Sequence, residues 1–376
     1  MKNVAKRLLS FEDKMINVYH HGGDEFIIII QCTNITYIKE LAAAIIKRIQ
    51  EPYSINGIEI WITTSIGISF YPHHTHDITD LIKFADTAMY YAKLDGKNTY
   101  KFFNEELEWK IERKSRLESE LRKALINKEL HMFYQPKFQL DSFEIVGMEA
   151  LIRWEHPELG LISPTEFIPI AEETGLIIDI GKWVIHEVLR QMRTWQDQGY
   201  PCMRVSVNVS SRQFRDKDLV QTIRSGLVIF HIDPNLFEIE ITESEIADTE
   251  LTIPILKSLK EIGVSISIDD FGTGYSSLNV LKDLPIDTIK INQSFVRDLL
   301  EHPKENLLVM AILEIGNILG LKVVAEGIET EKQLQHLLML NCRIGQGYYF
   351  SKPIKVNEFE SKFPKATTSE LSLIRA

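Results

Sequence analysis

The sequence predicts an α/β protein whose larger part is a TIM-like (β/α)8 barrel, preceded by a smaller, partial α/β domain. Three observations predict this. From Leu130 onward, strand-like and helix-like stretches alternate over a span typical of one barrel. The runs Val205-Ser206-Val207-Asn208-Val209 and Val323-Val324-Ala325 are stiff and β-branched, as interior strands are. Successive strand-like stretches also end in carboxylate or amide residues, and a barrel gathers strand ends on one face.

The totals fit a folded protein of one to three domains. The chain has 376 residues, is 44% hydrophobic and 25% charged, and carries a formal net charge of -11. That charge argues against a bulk nucleic-acid binder, but not against a phosphate ligand, because bound divalent metals reverse the local sign. Cys32, Cys202 and Cys342 lie far apart without metal or disulfide spacing, which points to a reducing cytoplasm. The apolar run Ile27–Ile30 is far too short to cross a bilayer, and Met1–Leu9 reads as an amphipathic helix, not a signal peptide.

The first domain is expected over residues 1–103. After the initial helix, Val18 to Ile30 reads as two strands joined through Gly22-Gly23, with Asp24 and Glu25 just past the turn. Such a tip suits a metal or a phosphate, and suits a plain Gly-Gly turn equally. Tyr37–Gln50 has helical spacing at Leu41, Ala44, Ile45 and Ile49; Ile58–Phe70 reads as two strands. The loop Tyr71–Asp77 carries His73, His74 and His76 and reads as a solvated turn before the amphipathic helix Asp80–Lys93, which Gly96 stops.

Residues 104–129 form a connector. Asn104 can cap a helix with Glu105, Glu106 and Glu108 in its first turn, and Leu107, Ile111, Leu117, Leu121 and Leu125 mark a narrow apolar stripe. Two readings stay open, a signalling lever and a lid helix packed on the second domain.

The second domain is expected over residues 130–364, with 365–376 as a loose tail. Strands are predicted at Leu130–Tyr134, Glu144–Trp154, Arg204–Val209, Phe237–Ile241, Val264–Ile268, Thr288–Ile291, Lys322–Ala325 and Arg343–Phe350. Helices are predicted at Pro164–Glu173, Lys182–Gln198, Ile253–Ile262, Leu307–Leu319 and Glu331–Leu340. Glu149, Asn208, Glu240, Glu243, Asp269, Asp270, Lys290, Glu326 and Gln346 then fall at or near strand ends. Taken singly, each is more often structural than catalytic. Together they form a ligand set of carboxylates and amides that suits hard cations such as Mg2+ or Mn2+. Two ions about 3.5–4 Å apart could clamp a phosphodiester and activate a water. Lys290 would attend that water or offset phosphate charge, and Arg153 could grip a phosphate oxygen. Gly272 and Gly274 let the backbone turn sharply beside the Asp269-Asp270 pair.

Both parts resemble known families. Gly22-Gly23-Asp24-Glu25-Phe26, Ser65-Ile66-Gly67-Ile68-Ser69 and the run from Ala85 through Tyr91-Ala92-Lys93 to Gly96-Lys97-Asn98 resemble the C-terminal part of a GGDEF (diguanylate cyclase) domain. The family's earlier strand and helix are missing before residue 1, and its inhibitory Arg-x-x-Asp pair falls on Asp13 and Ile16, so the resemblance implies a cyclase-inactive remnant with a poorly closed sheet. The second domain resembles the EAL family of cyclic di-GMP phosphodiesterases over essentially its whole length. The carriers are Glu149-Ala150-Leu151-Ile152-Arg153-Trp154, Asn208-Val209-Ser210, Glu240-Ile241-Thr242-Glu243-Ser244, Asp269 through Leu278, Lys290, Ala325-Glu326-Gly327-Ile328-Glu329-Thr330 and Gln346-Gly347-Tyr348.

That resemblance implies hydrolysis of cyclic di-GMP to linear pGpG with two Mg2+ or Mn2+ ions. Glu149, Asn208, Glu240 and Asp269 would hold one ion, and Asp269, Asp270 and Glu326 the other. Lys290 would attend the water. Gln135, Leu151, Arg153 and Gln346 would meet substrate. Glu243 would brace a regulatory loop of Phe271, Gly272, Thr273 and Gly274, which the family uses at a homodimer interface. The alternative is a weak or inactive cyclic di-GMP receptor. The family usually has Asp where this chain has Asn292, which predicts slower turnover with binding kept. The expected location is the cytoplasm, as part of a larger sensor protein, with no nucleic-acid polymer as partner and no membrane segment.

Overall fold

The computed structural model describes residues 1–363 except 56, 248 and 275–277. The tail expected at 365–376 and part of the loop after Gly274 therefore lie outside the described residues. Contacts group Met1–Arg116 into one unit and Leu117–Ala376 into another. Among the described residues, no helix is long and apolar enough to cross a membrane.

In the first unit, Ile16–Gly22 and Glu25–Ile30 pair antiparallel across the glycine turn, with Tyr19 opposite Ile27. Gly22 and Gly23 both have positive φ, which this turn needs and a side chain would resist. The helix Ile35–Gln50 is capped by Asn34 and buries Ile38, Ala42, Ile45, Ile46 and Ile49; Ala44, expected on that face, is exposed. Leu8, Ile45 and Ile49 form a small core with Val18, Phe26 and Ile28. The stretch Ile58–Phe70 does hold two strands, Ile58–Ile60 and Ile66–Ile68. The first pairs with an unanticipated strand, Tyr53–Ile55, and the second runs parallel to Tyr100–Phe102. These pairings form three separate two-stranded sheets.

Gly67 lies hard against the helix Ile78–Leu94: a Cβ there would fall 1.9 Å from the Ala85 carbonyl oxygen and 2.2 Å from the Met89 nitrogen. Backbone cannot yield as a side-chain tip can, so Gly67→Ala is expected to destabilise this unit by about 2 kcal/mol or more. Amide exchange over residues 66–102 should rise while exchange in the strands of the second unit stays unchanged.

The helix Glu105–Ala124 carries the connector stripe, and its later part, Leu117, Leu121 and Ala124, is buried in the core of the second unit. That unit is a barrel. Its strands are β1 (Leu130–Gln139), β2 (Ile145–His156), β3 (Arg204–Asn208), β4 (Phe237–Thr242), β5 (Ser265–Phe271), β6 (Thr288–Ile291), β7 (Lys322–Ala325) and β8 (Ile344–Gly345). The order runs β1-β8-β7-β6-β5-β4-β3-β2, and pairing of β1 with β2 closes the ring. Strands β2 through β8 are mutually parallel.

β1 departs from the all-parallel expectation, since it runs antiparallel to both β2 and β8. The cause is local: β1 and β2 are joined by a short turn, with the Gln139 N–H donating to Glu144 O at 2.8 Å, and so short a link cannot carry a parallel crossover. β1 also runs five residues past Tyr134, through Pro136. On its β8 side, pairing is interrupted between Tyr134 and Phe138, so the missing proline N–H falls in a gap. The last strand is shorter than the Arg343–Phe350 expected. Beyond Gly345 the chain turns, with the Phe350 and Ser351 N–H groups donating to Gly347 O at 3.1 Å. The helix Leu219–Phe230, between β3 and β4, was not anticipated; it buries Leu219, Ile223 and Leu227 against the barrel core.

Candidate active site

The pleat of each strand decides which side chains enter the barrel. On β4, Glu238 and Glu240 alternate with buried Phe237, Ile239 and Ile241, so both acids share one face and both are buried. Register then stacks the layers: Glu149 on β2 is level with Ser206 on β3, Ser206 with Glu238, and Asn208 with Glu240. Asp269 and Asp270 lie just before the last residue of β5, Lys290 lies in β6, and Glu326 and Gln346 follow β7 and β8.

Lys290, 0% exposed, is the centre of the arrangement. Its Nζ lies 3.2 Å from Glu149 Oε2, 2.7 Å from Glu240 Oε2, 3.1 Å from Asp269 Oδ2 and 2.7 Å from Glu326 Oε1. Burial works against the ammonium, but the four carboxylates outweigh it and hold its pKa well above the ordinary lysine value. Gln346 Nε2 donates to Glu149 Oε2 at 2.7 Å and to Glu326 Oε1 at 2.8 Å, and Asn208 Nδ2 donates to Glu149 Oε1 at 2.9 Å. Burial and the neighbouring Glu240 push the Glu149 carboxyl up; burial likewise lifts Glu326, with Asp269 adding repulsion. Glu240 goes the other way, because Lys137 and Lys290 overcome the cost of its burial and keep it ionised.

Lys137 was not among the residues anticipated from sequence. Its buried Nζ donates to Glu240 Oε1 at 2.7 Å, Ser206 Oγ at 2.9 Å and Glu238 Oε1 at 3.2 Å. Once β1 is seen to continue past Pro136, Lys137 lies two residues from Gln135 on the same strand, and so on the same face.

Two groups of carboxylates could each hold a cation. Glu149, Glu240 and Asp269 form one, Asp269, Asp270 and Glu326 the other, each with ligand atoms within 4.8 Å of one another. All the donors are oxygen, and Asp269 belongs to both groups, so the chemistry of the set fits a pair of hard divalent ions.

The other anticipated residues are distributed around this centre. Gln135 is opposite Glu149 in the β1–β2 ladder, and its Nε2 donates to Ser351 O at 3.1 Å. Leu151 is half-buried one step outward on β2. Arg153 is half-buried, donates to the Ile152 carbonyl at 2.8 Å and lies over the Phe133 ring at 5.8 Å. Glu243 Oε2 accepts from the N–H groups of Gly272 at 2.9 Å and Gly274 at 3.0 Å, while Phe271 is buried and Thr273 exposed. Asn292 Nδ2 donates to Asp270 Oδ1 at 2.5 Å. In the first unit, Asp24 and Glu25 are exposed at the hairpin tip, and the His74 ring accepts the Phe70 N–H at 3.0 Å.

Comparison with known proteins follows the same division. Residues 118–353 match the family model described as EAL domain, and residues 1–99 match that described as diguanylate cyclase, GGDEF domain. The bifunctional diguanylate cyclase/cyclic di-GMP phosphodiesterase MucR of Pseudomonas aeruginosa is 40% identical over 94% of this chain and 52% of its own length. The cyclic di-GMP phosphodiesterase PdeR of Escherichia coli is 38% identical over 96% of this chain and 54% of its own length. The chain thus spans about half the length of these curated relatives. Among solved structures, the PaMucR phosphodiesterase in complex with c-di-GMP superposes with a TM-score of 0.63 at 43% identity, covering 65% of this chain and 99% of that one.

Proposed function

The chain belongs to the EAL domain family, and from that premise we propose that its barrel hydrolyses cyclic di-GMP to linear pGpG. The observation that carries this reading is the pair of oxygen-only carboxylate groups sharing Asp269 around the buried ammonium of Lys290. A phosphodiesterase needs a mouth that is acidic yet can accept a phosphate, and divalent cations reconcile the two.

Glu149, Asn208, Glu240 and Asp269 would hold one cation, and Asp269, Asp270 and Glu326 the other. When bound, two Mg2+ or Mn2+ ions would polarise the phosphoryl oxygens and lower the pKa of an attacking water. Lys290, surrounded by four carboxylates, would turn one of its three N–H groups from a carboxylate to that water, and its charge would offset that on the phosphoryl oxygens. The water oxygen bonds to phosphorus, the bond from phosphorus to the ribose 3′ oxygen breaks, and that oxygen leaves with the proton. Gln346, bridging Glu149 and Glu326, keeps both carboxylates aimed at the mouth. Gln135, Leu151 and Arg153 flank it on β1 and β2 and would meet the substrate. Glu243 would hold the loop Phe271–Gly274, which we read as the route by which a homodimer contact through the barrel tunes activity.

Residues 1–103 are read as a segment without cyclase activity, in a cytoplasmic protein.

The test is incubation with cyclic di-GMP and Mg2+, followed by chromatography. Linear pGpG as product is expected, with none when EDTA replaces Mg2+. Tight binding of cyclic di-GMP without product would overturn the reading in favour of a receptor. GTP in the same assay should give no cyclic di-GMP.

A further inference from the structure

Asn292 follows β6 and caps the helix Gln293–Arg297. Its Oδ1 accepts the Ser294 N–H at 2.7 Å, and this fixes which end of the amide faces the site: the nitrogen is turned to Asp270 and donates to Oδ1 at 2.5 Å. Asp270 itself is unusual. It is a non-glycine residue with φ of 55°, and its own N–H is taken by Asp269 Oδ1 at 2.8 Å. One of its two carboxylate oxygens is thus committed to a neutral donor, whose position is set by the helix cap.

We propose that Asn292 is a positioning residue that holds Asp270 through its amide nitrogen and lowers the affinity of the Asp269–Asp270–Glu326 position for a divalent cation, leaving the Glu149–Glu240–Asp269 position untouched. This rests on the two-cation reading above. The hydrogen bond from a neutral amide takes one lone pair of Asp270 Oδ1 and adds no charge, so a cation meets fewer free lone pairs and less negative charge there than a carboxylate at residue 292 would provide. A carboxylate in place of the amide would reverse both effects. It would accept the Ser294 N–H equally well and keep the helix cap. It would also set a second negative oxygen against Asp270, an arrangement relieved by a cation.

The experiment is a Mn2+ titration of the full chain and of Asn292→Asp, without substrate, followed by calorimetry and by the paramagnetic resonance of free Mn2+. The wild type should take two ions. In Asn292→Asp one of the two dissociation constants should fall at least about tenfold, with the other unchanged within about threefold. Thermal melting adds a second readout: at pH 8 in EDTA the variant should melt below wild type, and saturating Mn2+ should raise its midpoint by more than it raises that of wild type. If wild type takes two ions and Asn292→Asp leaves both constants within about threefold, the inference falls and the two-cation reading stands. If neither protein takes up Mn2+, the two-cation reading falls and the inference with it.

Discussion

Glu149→Gln is expected to lower turnover of cyclic di-GMP by more than about 100-fold, the upper end of what loss of a mere supporting residue costs a metal site. Glu149→Ala is expected to abolish it. Glu149 is only 5% exposed and belongs to one of the two carboxylate groups. It also ties three strands together, accepting from Asn208, Lys290 and Gln346. Glutamine keeps the shape but removes the charge, and turns an N–H2 group toward at least one donor. The loss should therefore appear in kcat and in Mn2+ uptake, with the circular dichroism spectrum unchanged. Retained pGpG production by Glu149→Ala would show that the carboxylates at the barrel mouth are not the reacting centre.

Lys290→Met is expected to have the largest effect on stability, and one that depends on metal and pH. Without the ammonium, Glu149, Glu240, Asp269 and Glu326 face one another within the reach of a single side chain. Removing one partner of a buried ion pair typically costs about 3–5 kcal/mol. Two of these carboxyls, Glu149 and Glu326, are already pushed upward by burial in the intact protein. A group with a raised folded pKa stabilises fully below its unfolded value, and that contribution is lost as pH rises through the folded value. The variant should therefore be weakest at pH 8 in EDTA and recover towards pH 5. Divalent cations should rescue its midpoint at pH 8, while turnover of cyclic di-GMP is expected to stay absent if Lys290 attends the water as proposed. A melting midpoint in EDTA equal to wild type at pH 8 would contradict the geometry around Lys290.

Much of this was legible in the chain. β6 and β7 lie where alternation and β-branching put them, at Thr288–Ile291 and Lys322–Ala325. The acids now grouped as possible cation ligands, Glu149, Glu240, Asp269, Asp270 and Glu326, were recognisable as a set on successive strands, although Glu149 lies in the middle of β2 and not at its end. What was missed has physical reasons. Pro136 hid the second half of β1, because whether a strand tolerates proline depends on which neighbour needs its N–H. Ala44 follows helical spacing yet faces outward, since spacing marks a stripe but not its edges. β8 ends at Gly345, and Gly347 beyond it lies so close to the Ile328 backbone that a Cβ would come within 2.1 Å of Ile328 O, a long-range approach that the local sequence does not announce. Lys137 was passed over because it lies beyond Pro136, in the half of β1 that was not predicted.

By itself the sequence determined the family, the barrel and the identity of the acidic side chains at its mouth, because residue type and alternation along a strand are local properties. Only the tertiary structure decided which carboxylate meets which cation: that Lys290 touches four acids, that Lys137 supports Glu240 from within, and that Asn292 grips Asp270. Those contacts join residues far apart in the chain, and their distances are set by ring closure and strand register, which no single stretch of sequence encodes.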